Sequence, residues 1–199
     1  MQQACYQIME HFSTLQGEGY HSGRSAYFLR LSGCDIACVW CDVKESWSAV
    51  VGESYSLERI QELTENHNFV VLTGGEPAMH NLYPLTQLLH RHEKYVSIET
   101  SGCYPLKGSV DWYTFSPKKF KEPCEEAYTL ANELKVVIYH LSDLEWAKNH
   151  SEKVSDSCLL YLQPEWSKRA FLQEGIISFI HRNPRWKLSL QTHKYLEIP

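Results

Sequence analysis

Three cysteines lie close together in the segment GCDIACVWCD, which covers residues 33–42. Cys34, Cys38 and Cys41 have the spacing C-x3-C-x2-C, and the remaining cysteines stand alone elsewhere in the chain. Thiolates are soft ligands that favour zinc, copper(I) or iron–sulfur clusters. A cubane cluster has four irons, so three cysteines would leave one iron open to a substrate or cofactor. A structural zinc ion completed by a histidine is the alternative.

Composition narrows the class of partner. The 199 residues include 43% hydrophobic and 22% charged residues and have a formal net charge of −5, with lysines and arginines scattered along the chain. This pattern argues against nucleic acid and favours a small molecule. No apolar run reaches the length of about 18 residues that crosses a bilayer, and no signal layout opens the chain. We therefore expect a cytoplasmic single domain over residues 1–199 that does not bind membranes.

Hydrophobic periodicity predicts alternating strands and helices. The predicted strands are Tyr27–Leu31, Phe69–Thr73, Tyr95–Glu99, Trp112–Phe115, Leu134–Ile138, Cys158–Leu162 and Lys187–Leu190. The predicted helices run from a Ser56 cap to Glu65, over Leu82–His92, from a Ser142 cap to His150, and from a Ser167 cap to about His181. This alternation indicates an α/β fold with a mostly parallel sheet. Because a complete (β/α)8 barrel usually needs about 250 residues, we expect a shortened, partly open barrel.

Polar motifs stand at the carboxyl ends of five predicted strands. They are TGGEP (Thr73–Pro77), ETSG (Glu99–Gly102), SPK (Ser116–Lys118), QP (Gln163–Pro164) and QTH (Gln191–His193). Any one of them could be ordinary loop chemistry. Parallel α/β folds bind ligands at this face, so the five together predict a binding site there.

The cysteine spacing followed by Gly-Gly-Glu-Pro resembles the signature of the radical S-adenosylmethionine (SAM) enzymes. The resemblance implies a partial barrel and a [4Fe-4S] cluster held by Cys34, Cys38 and Cys41. It further implies that SAM chelates the open iron and that the reduced cluster cleaves it to a 5′-deoxyadenosyl radical. A flavodoxin or a ferredoxin-type protein is the implied electron donor.

Several motif residues carry groups that suit SAM. Glu76 offers a carboxylate for the ammonium group, and Gly75 allows the backbone to approach a ligand closely. Ser116 and Lys118 can supply a hydroxyl and a cation for the SAM carboxylate or ribose, although Lys118 lies in a lysine-rich loop typical of solvated surface. Gln163 can bind the edges of adenine. The other residues expected to bind SAM are Trp40, Cys41, Asp42, Glu99, Pro117, Pro164, Glu165 and Trp166.

Both ends of the chain narrow the resemblance further. FSTLQGEG (residues 12–19) and Arg30 are similar to the opening of 7-carboxy-7-deazaguanine synthases, and QTHK (residues 191–194) with Pro199 resembles their closing segment. The resemblance implies ring contraction of 6-carboxy-5,6,7,8-tetrahydropterin to 7-carboxy-7-deazaguanine in queuosine biosynthesis, with ammonia lost and SAM regenerated. It also implies a homodimer. An activating enzyme that abstracts hydrogen from a protein glycine and a zinc-stabilised binding module remain alternatives.

The resemblance also implies a set of substrate-binding residues. Gln16 and the neighbouring backbone could pair with the donors and acceptors of the pterin edge, together with the carboxylate that ends the C-terminal segment and closes the site. Arg30 can bind the substrate carboxylate through two hydrogen bonds. The complete set is Leu15, Gln16, Gly17, Glu18, Arg30, Thr73, His193 and Pro199.

Two positions depart from the family pattern. Family members commonly have threonine after Cys-Asp, where its hydroxyl helps hold a magnesium ion, whereas this chain has Val43. Magnesium prefers oxygen ligands, so we expect magnesium stimulation to be weak here. Ser101 stands where relatives often have asparagine; serine still donates and accepts but reaches less far. The isolated cysteines, which we expect to be small buried hydrophobic residues, are Cys5, Cys103, Cys124 and Cys158.

Overall fold

The computed structural model describes residues 4–199, and one sheet runs through them. Its strands are β1 (Cys5–Leu15), β2 (Ser25–Leu31), β3 (Glu53–Ser56), β4 (Phe69–Gly74), β5 (Tyr95–Thr100), β6 (Trp112–Phe115), β7 (Glu133–Ile138), β8 (Leu159–Pro164) and β9 (Trp186–Leu188). The helices are α1 (Leu57–Thr64), α2 (Tyr83–Arg91), α3 (Glu125–Leu130), α4 (Asp143–Ser151), α5 (Arg169–Arg182) and α6 (Thr192–Leu196). Short 3-10 turns occupy Lys44–Trp47, Pro77–Met79 and Trp166–Lys168.

The sheet is open and mostly parallel. Its strand order is β3-β1-β2-β4-β5-β6-β7-β8-β9, with β3 and β9 at the two edges. β1 pairs antiparallel with β2 and β3, and every pairing from β2 to β9 is parallel. This topology confirms the predicted α/β fold with a partly open barrel. The seven predicted strands are all present, while β1, β3, α3 and α6 were not predicted.

Local capping explains where two helices begin. Ser56 caps α1 as predicted, because its hydroxyl accepts a hydrogen bond from the Arg59 N–H at 3.3 Å. Ser142 stands at the cap position of α4, but its hydroxyl makes no capping hydrogen bond.

The predicted Ser167 cap is wrong. The Glu165 carboxylate accepts from the N–H groups of Ser167 and Lys168 at 3.1 and 3.2 Å, so a 3-10 turn forms first and α5 begins only at Arg169.

Side chains along the parallel strands point alternately to the two faces of the sheet. One face packs in the main core, and the other is the inner face of the open barrel. On β4, Val70 and Leu72 are fully buried in the main core, whereas Phe69 and Val71 belong to a second, smaller cluster. On β7, Leu134, Val136 and Ile138 are likewise in the main core. Burying each such side chain stabilises the fold by roughly 1.5–3 kcal/mol. The intervening side chains of these strands point to the inner face, where polar residues are found.

Aromatic rings pack at the amino ends of the central strands. His21 lies 5.0 Å from Phe69 and 4.7 Å from Trp112, measured between ring centroids, and Tyr20 stacks on Trp112 at 4.8 Å. The Arg24 guanidinium lies 4.1 Å above the Phe69 ring. These rings cover one end of the inner face, so the opposite, carboxyl end is where the inner face opens. Among residues 4–199, no helix combines the length and the apolar character of a membrane span.

The isolated cysteines differ in their burial. Cys158 is buried as expected, and Cys103 and Cys124 are partly exposed. The expectation is wrong for Cys5, which is exposed at the start of β1.

Candidate active site

A cavity of about 220 Å³ lies at the carboxyl ends of the parallel strands. The three clustered cysteines line it together with residues from the ends of β4, β5, β6 and β8. Of the thirteen residues predicted to bind SAM, eleven line this cavity. Pro117 and Pro164 do not; both are buried behind it, next to cavity-lining Ser116 and Gln163.

A second cavity of about 290 Å³ adjoins the first. All eight residues predicted to bind substrate line it, including His193 and Pro199 from the far end of the chain. The two cavities share a wall. The residues that line both are Glu18, Arg30, Asp42, Val43, Thr73, Glu99 and Gln191.

Of the three clustered cysteines, Cys38 is buried, and Cys34 and Cys41 are partly exposed. Burial raises the pKa of the Cys34 thiol, and it raises the pKa of Cys38 to about 11, opposed by the positive charge of Lys118. Thiolates are the metal-binding form, so cationic iron would supply the charge that stabilises them here. Three thiols that line one cavity fit a cluster, in which each would bind a different iron.

Glu76 is held by four hydrogen bonds from its own chain. One carboxylate oxygen accepts from the Ala78 N–H at 2.9 Å and from the Thr100 hydroxyl at 2.5 Å. The other accepts from the Ser101 N–H at 2.8 Å and from the Ser101 hydroxyl. The side chain is 1% exposed yet lines the first cavity. Ser101, in the position of the expected asparagine, is therefore close enough to donate to this carboxylate.

Gly75, directly before Glu76, packs against the cysteine loop. A Cβ on Gly75 would come within 2.3 Å of the Gly33 carbonyl oxygen and 2.8 Å of the Cys34 Cβ. The Gly75 N–H donates to the Leu31 carbonyl at 3.0 Å, and the Glu76 N–H donates to the Gly33 carbonyl at 2.8 Å. Glycine was predicted here for ligand approach, and the structure adds a second reason, because only glycine lets this strand end contact the loop so closely.

Aromatic and polar side chains complete the first cavity. Trp40 stacks on Tyr139 with ring centroids 5.7 Å apart and also contacts Phe120 at 5.0 Å. The Lys118 ammonium donates to the Ser116 hydroxyl at 2.5 Å, and Lys118 is half-buried rather than a solvated surface residue. Burial lowers the pKa of Lys118. A cation and a hydroxyl thus lie together where SAM was predicted to bind.

The N-terminal LQGEG segment (residues 15–19) is joined to the C-terminal QTH segment. The Gly17 carbonyl accepts from the Thr192 N–H at 2.9 Å and from its hydroxyl at 3.0 Å. The Glu18 carboxylate accepts from the Gln191 side-chain amide at 2.9 Å. The Pro199 carbonyl accepts from the Thr14 hydroxyl at 3.0 Å. Residues from both ends of the sequence therefore form one wall of the second cavity.

Arg30 lies between the two cavities. Its Nε donates to Glu10 at 2.5 Å and its Nη1 donates to the Gly74 carbonyl at 3.4 Å. Arg30 pairs with Thr73 across β2 and β4, which brings both side chains to the same wall. A guanidinium has five N–H donors, so these two contacts leave donors for a ligand carboxylate.

Sequence reasoning missed one charged residue of the site. Lys135 on β7 is 3% exposed, lines the first cavity and donates to both Glu18 and Glu99. A lysine in the apolar run ELKVVI was the available signal, since lysine is almost never buried unless it is paired.

Gln191 and Lys194, noted only as part of a motif, both donate to Asp42 in the cysteine loop, at 3.3 and 2.8 Å.

Comparisons with known proteins agree with this geometry. Residues 15–140 match a family model described as a 4Fe-4S single cluster domain. A 7-carboxy-7-deazaguanine synthase from Flavobacterium psychrophilum is 48% identical over 96% of this chain and 92% of its own length. The Escherichia coli K12 protein of that name is 36% identical over 97% and 99%. The crystal structure of QueE from Escherichia coli superimposes with a TM-score of 0.81 at 32% identity, covering 94% of this chain and 93% of that one.

The open parallel barrel and the three-cysteine cavity at its carboxyl end define the class as radical SAM enzymes. The near-complete coverage at these identities then specifies the family. The chain belongs to the 7-carboxy-7-deazaguanine synthases.

Proposed function

We propose that this chain converts 6-carboxy-5,6,7,8-tetrahydropterin to 7-carboxy-7-deazaguanine with loss of ammonia. The observation that carries the proposal is the pair of adjoining cavities, one lined by the three cysteines and the other by both ends of the sequence. This arrangement can hold a cluster-bound cofactor beside a polar, ring-shaped substrate. The activity would supply a precursor of queuosine, a modified nucleoside of tRNA.

The first cavity fits the cluster and SAM. Cys34, Cys38 and Cys41 would bind three irons, and SAM on the fourth iron supplies a 5′-deoxyadenosyl radical as oxidant. Lys118 and Ser116 would bind the SAM carboxylate or ribose through their cation and hydroxyl. The adjacent Trp40 ring would exclude water from this side of the cavity.

Residues of the second cavity would bind and orient the pterin. Arg30 has donors left for the substrate carboxylate, and Gln16 and Glu18 carry amide and carboxylate groups for the ring edge. His193 lines the same cavity, and burial lowers the pKa of its imidazole, which favours the neutral form. A neutral imidazole can both donate and accept a hydrogen bond, as ring positioning requires.

Position 43 offers magnesium no side-chain ligand. Val43 lines both cavities but its side chain has no oxygen, and the Asp42 Oδ2 accepts from Lys194 and Gln191 at 2.8 and 3.3 Å. Other carboxylates line the site, but the threonine hydroxyl common in the family is missing, and we propose that any magnesium dependence is weak.

The domain organisation, the electron donor, the oligomeric state and the cellular location are proposals as well. We propose one domain over residues 1–199, supported by the single sheet that the described residues form. We propose a flavodoxin or ferredoxin-type reductant, because the cluster must receive an electron, and a homodimer by analogy with the family. The seven unpaired cysteines favour a reducing, cytoplasmic location.

The test is anaerobic turnover. The protein is reconstituted with iron and sulfide, reduced, and incubated with SAM and carboxy-tetrahydropterin, and products are followed by mass spectrometry. We expect 7-carboxy-7-deazaguanine. Removal of Ile198 and Pro199 should raise the KM for the pterin while leaving SAM binding intact. Pro199 lines the second cavity, and the Ile198 N–H donates to the carbonyl of His193, which lines it too. Deoxyadenosine without the contracted product would contradict the proposed substrate, and a glycyl radical activase would tolerate the truncation.

A further inference from the structure

Two partly buried carboxylates share one buried lysine at the junction of the cavities. The Lys135 ammonium donates to Glu18 at 2.5 Å and to Glu99 at 2.7 Å. The lysine side chain is 4% exposed and each carboxylate side chain is 18% exposed. Glu18 and Glu99 both line both cavities, whereas Lys135 lies behind them and lines only the first. The lysine can therefore act on a ligand of the second cavity only through the two carboxylates.

Each carboxylate is fixed at both of its oxygens. The second oxygen of Glu18 accepts from the Gln191 amide at 2.9 Å, and the second oxygen of Glu99 accepts from the Gln16 amide at 3.2 Å. Every carboxylate oxygen has more than one lone pair, so each can still accept from a ligand. The result is two oriented acceptor groups that face the space where the pterin would bind.

The charges of this cluster are unequal, because two carboxylates face one ammonium. Lys135 lowers the pKa of Glu18 to about 2, while burial and repulsion by Glu18 raise the pKa of Glu99. The two carboxylates raise the pKa of Lys135, which keeps it charged. The other titratable groups that face these three are Glu133, Lys118 and His193, and Asp42 faces His193.

We propose that Lys135 is a positioning residue that keeps Glu18 and Glu99 ionised as a pair of acceptors for the N–H groups of the substrate ring. The proposal rests on the proposed function and adds a specificity determinant to it. Reduced pterins carry several ring and exocyclic N–H donors, and carboxylates bind such donors more strongly than neutral acceptors do. Without Lys135, desolvation and the repulsion between the two carboxylates would favour protonation of one of them.

The experiment measures equilibrium binding of carboxy-tetrahydropterin to the cluster- and SAM-loaded protein without reductant, from pH 6.5 to 8.5. We expect the Lys135→Met variant to bind about tenfold more weakly at pH 6.5 and to recover as pH rises and Glu99 ionises. Lys135→Arg keeps the charge and should stay within about threefold of the wild type. Lys187→Met, an exposed lysine on β9, is the matched control and should bind as the wild type does.

A double variant tests the same role of Lys135 if Lys135→Met alone does not fold. The double variant Lys135→Met, Glu99→Gln preserves the summed charge of the Lys135, Glu18 and Glu99 side chains. The affinity of this variant for the pterin should be reduced but independent of pH. Pterin binding by Lys135→Met within twofold of the wild type across the pH range would overturn the inference, as would a pH dependence that survives in the double variant. A wild-type protein that binds SAM but no pterin would instead overturn the proposed function.

Discussion

Gly17 and His193, from opposite ends of the sequence, lie in direct contact. A Cβ on residue 17 would come within 2.1 Å of the His193 Nδ1 and 2.9 Å of its Cβ. The hydrogen bonds from Thr192 to the Gly17 carbonyl hold the two segments at this distance. Glycine is therefore required at position 17 by packing against α6, and the substrate cavity depends on that packing.

Replacing Gly17 with alanine should move α6 and weaken pterin binding. The added methyl group cannot fit without displacing His193, and such overpacking costs about 1–3 kcal/mol. We expect a lower urea midpoint and a higher KM for the pterin, with SAM binding retained because the first cavity does not include Gly17. Urea titration and steady-state kinetics measure the two effects.

Gly23→Ala is the matched control. Its Cβ would meet no atom within 4 Å, but its φ is +86°, so the substitution should cost about 1 kcal/mol through the backbone alone. Pterin affinity should not change. Equal losses of pterin affinity in the two variants would show that the contact with His193 is not what matters.

Replacing Glu76 with glutamine should destabilise the protein even before SAM binds. Each carboxylate oxygen accepts from a backbone N–H, one from Ala78 and the other from Ser101. Whichever way the amide is oriented, its NH2 group would face an N–H donor. A buried donor left unpaired costs about 1–3 kcal/mol. Urea unfolding of the cluster-loaded protein under anaerobic conditions measures the change.

The control for this charge removal is Glu62→Gln. Glu62 pairs with Arg59 at the surface, where both side chains are more than half exposed. Exposed ion pairs contribute about 0–1 kcal/mol, so this variant should unfold close to the wild-type midpoint. If Glu76→Gln were equally mild, the four hydrogen bonds would not be holding the strand end together.

Local patterns predict the fold and the strand-end motifs that line the first cavity, whereas the residues of the second cavity were expected from the resemblance to the family. Parallel strands read as apolar runs, and each strand-end motif is recognisable within five residues. The elements that were missed lack such patterns. β1 is half-buried and rich in polar residues, and α6 has only five residues, so tertiary contacts rather than its own propensity form it.

Lys135 shows why the remaining part of the site could not be predicted. Its partners Glu18 and Glu99 are 117 and 36 residues away in sequence, and no local spacing relates the three. The strand periodicity alone predicts which face Lys135 occupies, but not that a pair of carboxylates lies opposite. Only the fold brings the charges together.

The stability of the protein should fall as pH rises through neutrality because of Glu133. Burial raises the pKa of this carboxyl from its usual 4.5 to about 7, partly opposed by Lys135. The fold therefore favours the protonated form. The contribution of the Glu133 carboxyl to the free energy of unfolding is fully present below about pH 4.5. It is lost as pH rises from about 4.5 through about 7, and the loss is about 3 kcal/mol at most.

Glu133→Gln should remove this dependence. The variant should match the wild type near pH 5 and be more stable at pH 8, as measured by urea unfolding at both values. Glu152→Gln is the matched control. Glu152 is an exposed carboxyl that directly follows α4, and its replacement should leave the difference in stability between pH 5 and pH 8 unchanged. A Glu133→Gln protein as pH-sensitive as the wild type would place the titrating group elsewhere.

Magnesium should change turnover by less than about twofold, because the Val43 side chain lacks the oxygen that a threonine would offer the ion. Val43→Thr adds a hydroxyl at a position that lines both cavities and should create a saturable stimulation by magnesium. Val39→Thr is the control, since Val39 is in the same cysteine loop but 61% exposed and should gain none. The measurement is initial rate against magnesium concentration after treatment with EDTA. A strong, saturable requirement in the wild type that Val43→Thr does not increase would mean that the ion is held by substrate, water and backbone instead.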